Sequence, residues 1–192
     1  MTQQAAEAHG RQLHQVPRLI QDALPGWLQA IKALTPQLET SNTLLYLGRG
    51  AHYAIAREGA LKLKESDYLN AEGYPAGELK HGPNALVSNE APLIMIATAD
   101  INDPDSLLRY SKVLQLMKDM REQGARIVAL ATEGDGEVPL YSDSCIFIPA
   151  SNDLLSTLLE VVPLQLLAYT LAVSRGIDVD RPRNLVKAVV EE

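Results

Sequence analysis

One stretch of the chain, residues 57–84, concentrates side chains that are able to do acid–base and carbonyl chemistry. Its first part is predicted to be a helix in which Glu58, Lys62 and Glu65 share one face, because they recur at spacings of four and three. A lysine can form a Schiff base with a sugar carbonyl, and a carboxylate can carry protons between adjacent carbons. The same spacing is also typical of an ordinary solvated helix face, so spacing alone leaves both interpretations open.

A turn-rich segment follows at residues 73–83 and contains Glu78, Lys80 and His81. Histidine works as an acid or a base near neutral pH, so His81 is a second candidate for proton transfer. A lone histidine beside Gly-Pro is otherwise most often a loop residue. These residue types alone therefore do not distinguish a catalytic histidine from a loop histidine.

The side chains need a scaffold, and the apolar pattern predicts strands that alternate with helices. Five apolar segments are predicted to be strands: 43–47, 68–72, 92–97, 126–131 and 144–149. Helices are predicted at 53–65, at 105–123 with Gly124 as its C-cap glycine, and at 154–174, with a short helix near 78–81. This alternation predicts an α/β fold, a three-layer α/β/α sandwich around a five-stranded parallel sheet.

Burial is predicted from the same pattern. The helix at 154–174 is apolar almost all round and is expected to be buried on more than one side. Residues 13–39 have a helical rhythm in which Pro17 and Pro25 each suit the first turn of a separate helix. We expect that region to be an arm before the main fold or a linker that docks against a partner. The inward face of the helix at 105–123 is predicted to consist of Leu107, Leu108, Val113, Leu114, Met117 and Met120.

The first predicted strand runs directly into Gly48-Arg49-Gly50 and then into a helix. A strand, a glycine turn and a helix N-terminus together form a potential anion site. The third glycine of a dinucleotide fingerprint is not in place, so nucleotide binding is not favoured. In a parallel sheet this turn and the segment at 73–81 both follow strand ends, so we expect them at the same edge.

Composition excludes several classes of function. The 192 residues carry a net charge of −7 with no basic stripe, which argues against nucleic-acid binding. The single cysteine, Cys145, excludes an internal disulfide and a thiolate-rich zinc site, and we predict it to be a packed core thiol. No run of eighteen apolar residues predicts a membrane span, and the N-terminus is not a signal peptide, so a cytoplasmic location is expected. No metal and no cofactor are predicted.

From Leu44 to Glu192 the chain resembles the C-terminal half of the isomerase domain of the glutamine–fructose-6-phosphate aminotransferase (glucosamine-6-phosphate synthase) family. Five ordered segments carry the resemblance: LGRG at 47–50, EGALKLKE at 58–65, NAEGYPAGELKHGPNAL at 70–86, VPLQLLAY at 162–169 and DVDRPRNLVK at 178–187. The resemblance implies the sugar isomerase (SIS) fold, which is flavodoxin-like. It also implies linker helices at 1–40 and one SIS domain at 41–192, with a C-terminal tail at 176–192.

The same resemblance implies roles for single residues. Glu65 matches the carboxylate that moves a proton between C1 and C2 in ketose–aldose isomerisation, and Lys62 matches a lysine that assists this transfer. His81 matches a histidine implicated in opening the sugar ring. Lys187 matches a tail lysine that forms a Schiff base with the ketose. The family often has a histidine where this chain has Asn70, which cannot titrate. The substrate-binding positions are expected to be Gly48, Arg49, Gly50, Glu78, Lys80 and Val186.

Partners follow from the resemblance as well. In that family a glutaminase domain and a first SIS subdomain with a Ser-Gln-Ser-Gly-Glu-Thr-like phosphate loop precede this part, and a second subunit supplies the histidine. We therefore expect the second subdomain of such an enzyme, as a fragment or a divergent stand-alone relative. It would bind fructose-6-phosphate, a phosphorylated hexose, would form a homodimer, and would be inactive alone. The alternatives are a stand-alone phosphosugar-binding module and a glucosamine-6-phosphate deaminase-like enzyme, although GELKHGP is the synthase-like form.

Overall fold

The computed structural model describes residues 10–185, in which strands and long helices alternate. The strands are β1 (Thr43–Gly48), β2 (Asn70–Pro75), β3 (Leu93–Ala97), β4 (Ile127–Thr132) and β5 (Ser144–Ile148). The long helices are α1 (Val16–Leu38), α2 (His52–Asp67), α3 (Pro104–Glu122) and α4 (Asp153–Ser174). Short 3-10 helices lie at Ala76–His81, Pro83–Leu86 and Val138–Tyr141.

The five strands form one parallel sheet in the order β2-β1-β3-β4-β5. The chain therefore crosses over after β2 and winds in the opposite direction, which is the doubly wound arrangement. The predicted parallel α/β fold is confirmed, and four strands lie within one residue of their predicted bounds. The second strand starts at Asn70 rather than at Tyr68, because Tyr68 ends α2 with a left-handed backbone, φ 59°.

Helices cover both faces of this sheet. Face A is covered by α1, α2 and α4, and face B is covered by α3 and by the 3-10 helix Ala76–His81. Leu44 and Tyr46 of β1 belong to the core of face A, and their neighbours Leu45 and Leu47 belong to the core of face B. This alternation follows from the two-residue period of a strand. All four side chains are fully buried, as expected for an apolar strand covered on both sides.

The helix α1 is continuous, and its two inner prolines do not divide it. Pro17 lies in the first turn, as predicted, but Pro25 and Pro36 lie inside the helix, so the predicted second helix start at Pro25 is wrong. Trp27 and Ile31 are buried in the core of face A, and Trp27 donates a hydrogen bond to the carbonyl of Phe147 in β5. Packing on the sheet therefore holds the helix together across a missing backbone hydrogen bond. A linker role for residues 1–40 stays a prediction.

The helix α3 has the predicted ends, but part of its predicted inner face is wrong. Asp103 caps its first turn through the amide of Asp105, and Gly124 follows its end with φ 81°. Val113, Met117 and Met120 are buried, whereas Leu107 is 41% and Leu108 is 59% exposed. The inner position at this end of the helix is taken by Arg109, whose side chain joins a buried polar network.

The helix α4 packs between α1 and α2, which confirms that it is buried on more than one side. A strip of its surface nevertheless stays exposed and consists of Leu154, Leu158, Tyr169 and Val173. By length and composition alone α4 could cross a membrane, with a mean hydropathy of 1.6 over its most apolar window. Half of that window is buried inside the domain, so packing against the sheet accounts for its apolar sequence.

The thiol of Cys145 is only partly buried, in contrast to the predicted core thiol. It lies on β5, which is an edge strand of the sheet, and its Sγ lies 3.1 Å from Oγ of Ser142. Burial among neighbouring side chains raises the pKa of this thiol. The side chain therefore packs at the margin of the core rather than within it.

Candidate active site

The glycine turn and the turn-rich segment meet at the carboxyl edge of the sheet, as predicted. Gly48 ends β1 and is paired in register with Pro75, the last residue of β2. A Cβ atom at position 48 would lie 2.2 Å from the carbonyl oxygen of His52, so only glycine permits this close approach of strand and helix. Gly50 has φ 63°, a conformation that glycine adopts without strain.

Arg49 connects the glycine turn to the 3-10 helix that follows β2. The Nη1 of Arg49 packs against Gly77. A Cβ atom added to Gly77 would lie only 2.9 Å from this nitrogen. Glu78 is exposed on the same 3-10 helix, and Lys80 forms an ion pair with Asp119 at the far end of α3. The hydrogen bond from Lys80 lowers the pKa of Asp119. Lys80 is therefore engaged by its own chain, whereas Arg49 and Glu78 stay accessible.

The predicted acid–base group on α2 forms as one cluster. The Nζ of Lys62 lies 2.8 Å from Oε2 of Glu65 and 3.5 Å from Oε1 of Glu58. The hydrogen bond to Glu65 is the main cause that raises the pKa of Lys62. All three side chains are about one-third exposed, with 35% for Lys62, 33% for Glu65 and 36% for Glu58. This cluster is thus both formed and open to a small molecule.

The structure does not bring His81 to this cluster within one chain. The helix that carries Glu65 packs on face A, whereas the 3-10 helix that carries His81 is anchored in the core of face B by Ala76 and Leu79. The sheet therefore stands between them. Glu65 also lies about 20 Å along α2 from its first residue, His52, so the cluster is far from the glycine turn. Within a single chain the cluster on α2 is therefore separate from the carboxyl edge, where the glycine turn meets the segment that carries His81.

Three further positions singled out from the sequence are Asn70, Val186 and Lys187. Asn70 is exposed at the start of β2. Lys187 and Val186 lie outside the described residues, and their predicted roles stay predictions. The part of the tail that is described reaches Leu185 and contacts Tyr68 through Arg183, a contact that sequence reasoning did not suggest.

Sequence reasoning also missed a buried polar network beneath the glycine turn. His52 at the start of α2 is fully buried, and its Nδ1 donates to both carboxylate oxygens of Glu160, at 2.7 and 2.9 Å. Glu160 also accepts a hydrogen bond from Thr98 at the end of β3. Asp153, on the same helix, pairs with the guanidinium of Arg109. Burial raises the pKa of Asp153, but hydrogen bonds from Ser106 and Arg109 outweigh this effect and lower it.

This network ties together the elements that surround the glycine turn. Arg109 of α3 donates to the carbonyl of Thr98, and Ser106 donates to Asp153 of α4. Both carboxylates of the network, Asp153 and Glu160, therefore have hydrogen-bond donors, as a low-dielectric interior requires. The sequence did contain a signal for this network. Glu160 is a single carboxylate in the apolar run TLLEVVPL, and a buried carboxylate needs a partner.

Comparison with known proteins agrees with this fold. The profile of the SIS domain family matches residues 37–175. The glutamine–fructose-6-phosphate aminotransferase (isomerizing) of Chlorobaculum tepidum is 41% identical over 196 residues, which cover 100% of this chain and 30% of that protein. The chain thus spans less than a third of the length of this relative.

Two solved structures are similar over most of the chain. The C-terminal domain of glucosamine-fructose-6-phosphate aminotransferase from Francisella tularensis has a TM-score of 0.82 at 31% identity, covering 94% of this chain and 49% of that chain. Glucosamine-6-phosphate deaminase from Thermotoga maritima has a TM-score of 0.64 at 27% identity, covering 91% of this chain and 49% of that chain. In each case the chain corresponds to about half of the solved chain.

Proposed function

Because the chain belongs to the SIS domain family, we propose that it is the second sugar-isomerase subdomain of a glutamine–fructose-6-phosphate aminotransferase. In this role it helps to convert fructose-6-phosphate to glucosamine-6-phosphate, and it works in the cytoplasm as part of a homodimer. The aminotransferase from Chlorobaculum tepidum, at 41% identity, favours this reading over a deaminase, whose relative is 27% identical.

The observation that carries the proposal is the cluster on α2. Lys62 lies between Glu58 and Glu65, at 3.5 and 2.8 Å, on a face that is one-third exposed. The carboxylate of Glu65 is able to accept a proton from C1 of a bound ketose and deliver it to C2, which is the step that isomerisation needs. The Nζ of Lys62 donates a hydrogen bond to Glu65 at 2.8 Å and so holds this carboxylate in place for that transfer. A sensor that only binds a phosphosugar has no need of a proton-carrying carboxylate.

The remaining roles are assigned by motif. Lys187 is proposed to form the Schiff base with C2 of the ketose, with loss of water, and His81 to move the proton that opens the sugar ring. Arg49 and Glu78 stay accessible at the carboxyl edge, and they are proposed to contact substrate together with Gly48, Gly50, Lys80 and Val186. His81 and Glu65 lie on elements that pack on opposite faces of the sheet. We therefore propose that a complete site takes His81 from a second copy of the chain.

The experiment is a domain replacement in the Chlorobaculum tepidum relative. Its C-terminal segment, which aligns with this chain, is exchanged for residues 1–192, and glucosamine-6-phosphate formation is measured. We expect the chimeric enzyme to be active, and we expect Glu65→Gln and Lys187→Ala to lower kcat at least about a hundredfold. The chain alone should show little turnover of fructose-6-phosphate, because the phosphate-binding loop of the family belongs to the first subdomain.

Matched controls separate chemistry from folding. Glu58→Gln changes the other carboxylate beside Lys62, and Lys64→Ala removes a lysine that pairs instead with Glu72 at 3.5 Å. Both control variants should keep activity within about threefold. A folded chimeric enzyme that is inactive, or one in which Glu65→Gln is as active as Glu58→Gln, would contradict the proposed function.

A further inference from the structure

Arg49 lies between two glycines, and each glycine packs against a residue of the buried network. A Cβ atom added to Gly48 would lie 2.2 Å from the backbone oxygen of His52, the first residue of α2. A Cβ atom added to Gly50 would lie 3.9 Å from Cδ of Arg109 on α3. The turn that carries Arg49 is thus packed against His52 at one end and against Arg109 at the other.

The start of α2 has no side-chain cap of the usual kind. Its N-cap residue is Ala51, whose methyl group cannot accept a hydrogen bond, and residues 52–55, its first turn, contain no Asp or Glu. Gly48 and Gly50 give the preceding turn more conformational freedom than other residues would. Contacts with other parts of the fold therefore have to hold this part of the chain in one shape.

The side chain of His52 makes such a contact. It is fully buried, and its Nδ1 lies 2.7 and 2.9 Å from the two carboxylate oxygens of Glu160 on α4. Its Nε2 lies 3.4 Å from Oδ1 of Asp153, the first residue of the same helix. Two carboxylates thus lie beside the first residue of α2, at the helix end where the backbone dipole favours negative charge.

Arg109, on the other side of the turn, is held by partners of its own. Its Nη2 donates to the carbonyl of Thr98 at 2.9 Å and forms an ion pair with Asp153. The hydroxyl of Thr98 donates in turn to Glu160, the partner of His52. The two residues that pack against the glycine turn therefore belong to one network, which joins α2, α3, α4 and the end of β3.

We propose that His52 is a positioning residue, whose hydrogen bonds to Glu160 hold the glycine turn at 48–50 in the shape that presents Arg49 at the carboxyl edge of the sheet. The inference rests on the proposed function in one respect, because Arg49 affects the reaction only if it contacts the substrate. The acid–base cluster lies about 20 Å away along α2. Loss of the His52 contact should therefore weaken substrate binding and leave proton transfer unchanged.

Amide hydrogen exchange of the 192-residue chain, followed by NMR, tests the turn without relying on activity. The N–H groups of Tyr53 and Ala54 donate to the carbonyls of Gly50 and Ala51, at 3.2 and 3.0 Å, so their exchange reports opening of the turn. His52→Leu removes the side-chain donor and should speed exchange of both amides at least about tenfold. His52→Asn keeps a side-chain N–H near the position of Nδ1 and should recover part of the protection.

A second variant and a control separate local opening from a general loss of stability. Glu160→Gln weakens the same contact without removing volume and should speed the exchange about threefold, so the test does not depend on the folding of His52→Leu. Leu171→Ala truncates a fully buried side chain at the far end of α4 and should leave exchange at Tyr53 and Ala54 within about twofold. Equal acceleration by His52→Leu and Leu171→Ala overturns the proposal, and so does unchanged exchange in both network variants.

In the chimeric enzyme, His52→Leu should raise the KM for fructose-6-phosphate about tenfold and leave kcat within about threefold, with partial recovery in His52→Asn. Arg49→Ala should raise the KM in the same way, and adding His52→Leu to it should change the KM little further. A KM that His52→Leu leaves unchanged overturns the positioning role while the proposed function stands. If exchange responds as expected but the unsubstituted chimeric enzyme is inactive, the proposed function fails while the placement of the turn by His52 stands.

Discussion

Glu65 and His81 lie on opposite faces of the same sheet. The first is on a helix of face A, and the second is on a 3-10 helix that Ala76 and Leu79 anchor in face B. Within one chain the carboxylate and the histidine thus belong to elements that pack on different sides of the sheet. If both act on the same substrate, the site is shared between two copies, and each copy contributes a different face.

Mixing of two inactive variants tests this shared site. Co-expressed Glu65→Gln and His81→Ala forms of the chimeric enzyme pair at random, so half of the dimers are mixed and each mixed dimer has one intact site. We expect recovery of about a quarter of the unchanged activity. Glu65→Gln mixed with Lys62→Ala should recover none, since both residues come from the same chain. Equal recovery in the two mixtures would show that the histidine acts within its own chain.

The ionisation of Lys62 is predicted to depend on Glu65. The hydrogen bond to Glu65 raises the pKa of Lys62, so Glu65→Gln should move that pKa down toward its ordinary value. Glu58→Gln should produce a smaller change in the same direction, because Glu58 lies 3.5 Å from Nζ rather than 2.8 Å. NMR titration of the lysine side chain measures both. An unchanged pKa in Glu65→Gln would mean that the two groups do not interact in solution.

Asp67 is predicted to make the domain less stable above about pH 6 than at pH 4. This carboxyl is 1% exposed, and burial raises its pKa to about 6 from about 3.9 in an unfolded chain. The folded state therefore binds the extra proton between pH 4 and 6, and stability falls as pH rises through that window. Asp67→Asn should add about 2 kcal/mol at pH 8 and almost nothing at pH 4. Urea unfolding at both pH values measures this, and an equal effect at both would contradict the raised pKa.

The His52–Glu160 pair is predicted to be important for stability. Both side chains are fully buried, so His52→Ala leaves a buried carboxylate without its main partner and should cost about 3 kcal/mol or more. The double variant His52→Leu with Glu160→Leu should cost less than His52→Ala alone, because no unpaired charge remains. Denaturant unfolding of His52→Leu, Glu160→Leu and the double variant gives the coupling energy. Additive costs would show that the two groups are not coupled.

Much of the fold was predictable because local sequence rules decide it. The apolar strands with their helical connections predict a parallel sheet, and Gly124 predicts the end of α3. Where the prediction failed, a partner distant in sequence decided the outcome. Pro25 stays within α1 because Trp27 and Ile31 pack on the sheet, and Leu108 is exposed because Arg109 takes the inner position.

The sequence by itself determined which chemistry the chain carries, because Glu58, Lys62 and Glu65 meet through helical spacing alone. Only the tertiary structure decided how that chemistry is distributed. It separated Glu65 from His81 by the sheet, paired Lys80 with Asp119, buried His52 against Glu160, and brought Arg183 onto Tyr68. These relationships join residues that are distant along the chain, and their positions depend on the packing of whole layers. Local periodicity carries no information about that packing.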